Sequence, residues 1–416
     1  MADSDMDESS PQPSSNGIAE KPKTEPDAAA LHLLAMAEHF RSTEPPKYKL
    51  AIKCVMAALK TNLSRQLSAH CHYELGKLLR LYTKTHNMAK YHLEQAYNYM
   101  KDLGTPFEES RMKVVCLIAE IYMDLGLFDS IKGFLGMELD VSKKYPFLHA
   151  KILFLIAETY SRSKEYDRSR VFLEIGIQTF SNAKDYIMEC YFRLSRALLL
   201  SVKTDQTQEL ADTVSKLAEL IPKIPADEVY AVNNIKSFCY SIQLCFFLAS
   251  GMIKNSKKCV IQLQNTVQEA AALTVTPNTP HFQWLSSESL TALTYILTVL
   301  SSMQLAQFER AVKYSKIAIK HIEDMRRMIR KSSSLSGRRC EETLTNFEMI
   351  LFENMAQTTL VVGKPSETLV YLGRMVDRIR EKNELVDMFG AQFHTLLGLY
   401  ASYMRLPDRA IKQYDC

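Results

Sequence analysis

A constant offset of 38 residues constrains this chain more than any other feature. Ile118-Ala119-Glu120-Ile121-Tyr122 is echoed by Ile156-Ala157-Glu158-Thr159-Tyr160, and again by Leu194-Ser195-Arg196-Ala197-Leu198. The first two stretches keep register beyond these blocks: Phe128-Asp129-Ser130 matches Tyr166-Asp167-Arg168, and Phe134-Leu135 matches Phe172-Leu173. Self-similarity at such a period is the mark of stacked supersecondary units. Gly is scarce, Leu, Ala, Lys, Glu, Gln and Met are plentiful, and alternating β-branched runs are absent, so the units are helical rather than stranded.

Other units follow the tetratricopeptide template of a large residue, Leu-Gly and Tyr in a first helix, then Ala, Phe and Ala in a second. Leu75-Gly76, Tyr82, Ala89, Leu93 and Ala96 fit it, as do Leu397-Gly398, Ala410 and Tyr414; Ala311, Tyr314 and Ala318 supply another second helix. Gly76, Ala119, Ala157, Ser195 and Gly398 stand where two helices of a unit press closest. A single unit cannot bury both faces of its helices, so units must stack. The expected fold is an all-α, tetratricopeptide-like superhelix (an α-solenoid).

The predicted helix pairs span about 28–60, 68–102, 106–139, 146–181, 184–221, 227–273, 286–330, 342–383 and 388–416, nine in all. Thr105-Pro106-Phe107-Glu108 reads as a helix start with Thr as N-cap, Pro at N1 and Glu at N3. Two long connections are expected, 274–285 with Pro277, Pro280 and Trp284, and 331–341, rich in Ser and Arg. The last pair stops two turns into its second helix, where a solenoid usually carries a polar cap; a shortened array is the expectation.

Residues 1–27 carry seven carboxylates against Lys21 and Lys23, about −5, within a whole-chain charge of +4. With much Ser and Pro and few large apolar residues, this tail is expected to be disordered, and 28–416 to form the array. The nine Cys include no C-x-x-C and fall mostly on apolar helical positions, as free thiols in a reducing compartment do. The acidic N-terminus does not read as a signal peptide, and the longest apolar stretch, Leu244 to Ile253, is too short to span a bilayer.

No phosphate loop, G-x-S-x-G, H-E-x-x-H or Cys/His metal spacing occurs. His70 and His72 are two apart on a helix and face different ways, with His92 on the next helix. The reading is therefore a non-enzyme with no cofactor, metal or small-molecule substrate, which leaves protein binding. Arg326, Arg327, Arg330, Lys331, Arg338 and Arg339 cluster at the second connection. They fit a nuclear-import signal or a DNA contact, or a solvated helix end whose cations favour the C-terminal dipole.

In stacked helix pairs the first helices line the concave side. With Leu75, Ile118, Ile156, Leu194 and Leu397 as anchors, helical spacing turns Tyr73, Lys77, Arg80, Lys113, Glu120, Met123, Lys151, Phe154, Glu158, Phe192, Arg196, Leu199, Gln392 and Leu399 inward, charge of both signs with cations in slight excess. Such a lining of apolar anchors among charges suits a long segment that orders on binding. Phe154 and Phe192 fit the core between units equally well.

Leu31-His32-Leu33-Leu34-Ala35-Met36-Ala37-Glu38-His39-Phe40-Arg41 with Pro45-Pro46-Lys47 resembles the start of the Mau-type sister-chromatid cohesion factors, the tetratricopeptide subunit of the cohesin loader. Phe282-Gln283-Trp284-Leu285, with Tyr295 to Val299 and Ser302-Met303-Gln304, is similar to that family's central segment. Ala391-Gln392-Phe393-His394-Thr395-Leu396-Leu397-Gly398-Leu399-Tyr400 is similar to another of its runs. The resemblance implies an invertebrate member, shortened at its C-terminus, that wraps the extended N-terminal segment of a large HEAT-repeat loader subunit. It further implies a role as adaptor in cohesin loading and sister-chromatid cohesion, indirect contact with cohesin and chromatin, a nuclear location with a cytoplasmic share, and no membrane association. The inward-facing residues would then be the partner site. The acidic tail departs from the family pattern. A general tetratricopeptide scaffold or co-chaperone that captures peptide segments is the alternative; it needs a matching set of cations across successive units, which the spacing does not supply.

Overall fold

The computed structural model describes residues 25–201, 207–272, 282, 284–332 and 336–415. Among them are eighteen α-helices and no strand. In chain order these are α1 (Glu25–Ser42), α2 (Tyr48–Ala58), α3 (Arg65–Tyr82), α4 (His86–Leu103), α5 (Glu108–Asp124), α6 (Phe128–Ser142), α7 (Pro146–Arg162), α8 (Tyr166–Asn182) and α9 (Tyr186–Leu200). There follow α10 (Thr207–Leu220), α11 (Val229–Ala249), α12 (Ile253–Ala271), α13 (Ser287–Gln304), α14 (Phe308–Ser332), α15 (Ser336–Val361), α16 (Pro365–Glu381), α17 (Glu384–Tyr403) and α18 (Pro407–Tyr414).

Each odd helix packs on the even helix that follows it, and many odd helices also pack on the next odd one, as in α3–α5, α5–α7, α9–α11, α11–α13, α13–α15 and α15–α17. The odd helices therefore form one layer, the first helices of the repeat units, backed by the even helices. Gly76 shows why the template demands a small residue: a Cβ there would lie 2.6 Å from Leu93 Cγ, on the facing helix α4. Gly398 is closed in the same way by the ring of Tyr414, and Gly176 by the ring of Phe192.

The turns inside the units repeat as well. Gly126, Lys164, Gly251, Ala306, Gly363 and Arg405 all have positive φ, each just beyond the end of a first helix. The next backbone N–H bonds back to the helix: Leu127 N to Tyr122 O (2.9 Å), Glu165 N to Tyr160 O (2.9 Å), Gln307 N to Ser302 O (2.8 Å). These left-handed caps satisfy terminal carbonyls and aim the second helix back along the first. Helix starts use Ser64, Asp185 and Ser286, whose side chains accept the N–H of Leu67, Met188 and Ser289.

Three sequence expectations need correction. Asp27, assigned to the acidic tail, belongs to α1, and its carboxylate accepts the backbone N–H of Ser64 at 3.0 Å; residues 1–24 lie outside the described residues. Thr105 is not a side-chain N-cap: Gly104, at φ 75°, ends α4, and Thr105–Phe107 form a 3₁₀ turn leading into α5. The connection expected over 331–341 is much shorter, since α14 runs to Ser332 and α15 starts at Ser336. Ser and Arg carry only a small helix penalty, and no proline interrupts them. The other connection lies between Ala271 and Ser287; its residues 273–281 and 283 lie outside the described residues.

Candidate functional site

Three consecutive first helices, α3, α5 and the start of α7, enclose a groove of about 570 Å³. Its apolar wall is made by Tyr73 and Leu81 from α3, Cys116 and Leu117 from α5, and Pro146, Phe147 and Leu148 from α7. Lys77, Arg80, Lys113 and Lys151 stand at the same groove with one lining carboxylate, Glu109. Spacing explains the set: Tyr73, Lys77 and Arg80 follow one another at four and three residues, and Cys116 and Leu117 lie three and four residues after Lys113, so each trio falls on one helical face.

The cations differ in how firmly they are held. Glu120 sits between Arg80 Nη1 (2.6 Å) and Lys151 Nζ (3.0 Å), joining α3, α5 and α7 through one carboxylate. Lys113 pairs with Glu109 at 2.7 Å in an exposed pair, and Lys77 with Glu74 at 3.3 Å in a part-buried one, each along its own helix. Pairs of that kind contribute at most ~1 kcal/mol and exchange partners readily. Arg80 Nε is buried with no hydrogen-bond partner. Burial pushes the Cys116 thiol up to about 12, so this wall residue is an apolar filler and not a nucleophile.

Of the residues expected to face inward, Tyr73, Lys77, Arg80, Lys113 and Lys151 meet in this groove. Met123 does not: it is 2% exposed and belongs to the core. Phe192 is likewise core, fully buried beneath Gly176 and stacked on Phe154 at 4.0 Å, so the pair fills the seam between α7 and α9. Arg196 is tied to Glu174 of α8 at 2.5 Å. Gln392 and Leu399 are exposed on α17, outside the groove. The anchor-and-spacing rule failed where aromatic rings from adjacent units close on one another. It also missed Leu117, Tyr145, Phe147 and Leu148, although Phe147 and Lys151 are four apart at a helix start, which is the signal for a shared face.

The arginine cluster also divides. Arg326 is 7% exposed, bonded to Glu348 Oε2 (2.7 Å) and Thr345 Oγ1 (3.1 Å), and Arg378 reaches the same carboxylate at 2.9 Å. Arg326 thus holds α14 against α15 and is not available to nucleic acid or an import receptor. Arg327 is exposed and paired with Asp324. The side chains of Arg330, Lys331, Arg338 and Arg339 lie outside the described residues.

His72 and His92 meet with their Nδ1 atoms 3.0 Å apart, beside Tyr99. Only one of the two nitrogens can carry a proton in that contact. Burial, then the charge of His92, lowers His72 to about 4, and burial lowers His92 as well. Among the described residues no three His, Cys, Asp or Glu side chains are grouped to hold a metal, and no helix is long and apolar enough to cross a membrane.

With the fold and groove in view, the family model described as "Cohesin loading factor" matches residues 31–415. The chain belongs to the cohesin loading factor family. Among its relatives, the MAU2 chromatid cohesion factor homolog of Aedes aegypti is 28% identical over 398 residues, covering 93% of this chain and 62% of the relative. That of Drosophila melanogaster is 27% identical over 405 residues, covering 93% and 61%. The chain thus spans about three-fifths of the length of the curated relatives it matches. Among solved structures, Scc4 in complex with Scc2n is similar at TM-score 0.54 and 11% identity, over 93% of this chain and 75% of that one. A signal-transduction ATPase with a tetratricopeptide-repeat sensor from Pyrococcus horikoshii is similar at TM-score 0.51 and 13% identity, over 95% and 53%. These likenesses agree with an all-α helical-repeat fold.

Proposed function

We propose that this chain is a non-catalytic adaptor of a cohesin-loading complex that holds the extended N-terminal segment of the large HEAT-repeat loader subunit on the inner layer of first helices. One observation carries the reading. In a member of the cohesin loading factor family, the groove of α3, α5 and α7 has an apolar wall, a cationic rim and no reactive group. Its volume has room for bulky apolar side chains of a segment, and Lys113 and Lys77, each paired only with a carboxylate of its own helix, suit a neighbouring carboxylate on the same segment. The fold likeness to Scc4, a protein crystallised with Scc2n, supports the same reading. Through its partner the adaptor serves cohesin loading on chromatin and sister-chromatid cohesion, a role that fits a nuclear location with some cytoplasmic share.

The test is a titration of the purified chain with the N-terminal segment of the loader subunit from the same organism. Saturable binding that Leu117→Glu abolishes is expected. No binding of the segment, together with tight capture of short peptides through their C-terminal carboxylates, would overturn the proposal in favour of a general scaffold or co-chaperone. That alternative has little support here, because Arg80 and Lys151 are both engaged on Glu120.

A further inference from the structure

Phe282, ahead of α13 in the chain, sits against the first helices α7 and α9. Phe282 packs its ring against Phe147 (5.6 Å, edge-on), Phe154 (4.9 Å) and Tyr191 (5.9 Å), bridging α7 and α9. Its backbone carbonyl accepts two hydrogen bonds, from the Tyr191 hydroxyl at 2.8 Å and from Asn234 Nδ2 at 3.2 Å. Tyr191 and Asn234 are both buried, so their polar ends need a partner, and this one carbonyl serves both. The position of Phe282 is therefore set from α9 and α11, while its ring presses on α7.

Phe147 is the shared element. One side of it lines the groove, and Phe282 packs against it from elsewhere. We propose that Phe282 is a positioning residue for the partner segment: it backs Phe147 and so fixes the width of the cavity between α3, α5 and α7. The inference rests on the proposed function, since it names a residue that shapes the same site. Phe282 does not itself line the groove; it acts through Phe147. Two residues on in sequence, Trp284 shares one core cluster with Phe282 but stacks on Phe238 of α11 at 4.3 Å and is absent from the cluster that joins Phe282 to Phe147, which supplies an internal control.

The experiment uses the full chain and the labelled N-terminal segment of the loader subunit, with helicity and melting recorded for each variant. Phe282→Ala should weaken binding about tenfold, as loss of support for a central aromatic wall does. Phe282→Leu should recover most of the affinity. In a double-mutant cycle, Phe282→Ala added to Phe147→Ala should weaken binding no further. Trp284→Ala should lower the melting temperature and leave affinity unchanged. Should Phe282→Ala fail to fold, Tyr191→Phe, which removes one bond to the Phe282 carbonyl and keeps the ring, should weaken binding by a factor of about three. Unchanged or tighter binding by Phe282→Ala, multiplicative effects in the cycle, or an equal loss from Trp284→Ala would overturn the inference. If the wild-type chain does not bind the segment at all, the functional proposal fails instead.

Discussion

Glu120 accepts Arg80 from one side and Lys151 from the other, with Asp124 a second, longer partner of Arg80 at 3.8 Å, so one carboxylate links two groove cations. Glu120→Gln is expected to loosen both and to cost about 1–2 kcal/mol in denaturant unfolding, the lower end for a half-shielded network. Its affinity for an acidic segment should rise, and that rise should fade as salt is added. The His72–His92 contact acts on stability through pH. His72 has a folded value near 4, below its ordinary 6.5, so the unfolded chain takes up protons first as pH falls. The contribution is present above pH 6.5 and is lost between about 6.5 and 4. Melting temperature should decline over that window, and His72→Phe should flatten the decline; an unchanged slope would count against this origin.

At the scale of the helix, the left-handed caps and the close approaches make opposite predictions for glycine. Ala306 has φ 55°, a conformation that costs a residue with a Cβ roughly 1 kcal/mol. Ala306→Gly should therefore stabilise the α13–α14 unit by about 0.5–1 kcal/mol, read as a rise in melting temperature. Gly76→Ala should do the reverse. Its new methyl would meet Leu93 at 2.6 Å, and overpacking of this kind costs about 1–3 kcal/mol. Helix content should barely change in either variant, because the helices remain and only their separation is altered.

Across the whole molecule, units touch their neighbours and little else, so a defect in one place should stay there. Glu348 is buried between Arg326 and Arg378, far along the chain from the groove. Glu348→Gln should destabilise the α14–α16 region by about 3 kcal/mol and still leave segment affinity within about twofold of wild type, apart from any unfolded fraction. A large loss of affinity in a folded Glu348→Gln sample would mean that the array transmits strain along its length. An exception to locality is Phe282, which packs on α9 across 91 residues of sequence and on Phe147 and Phe154 of α7 across still more.

Much of this architecture is written in the chain itself. The 38-residue offset, the Leu-Gly and Ala positions and the helix-forming composition are local, repeated signals. They led directly to first and second helices and to the cations of α3, α5 and α7 as a shared lining. What they left open depends on distances that no period encodes. Phe192 and Met123 satisfy the inward spacing, yet neighbouring units close over them; Arg326 looks like a surface cation, yet a carboxylate 22 residues away buries it. Phe282 carries no repeat signal at all, because its place is set by Tyr191 and Asn234 on two other helices. Periodicity specifies which face a side chain takes on its helix, whereas only tertiary packing decides whether that face meets water, a partner or another part of the same chain.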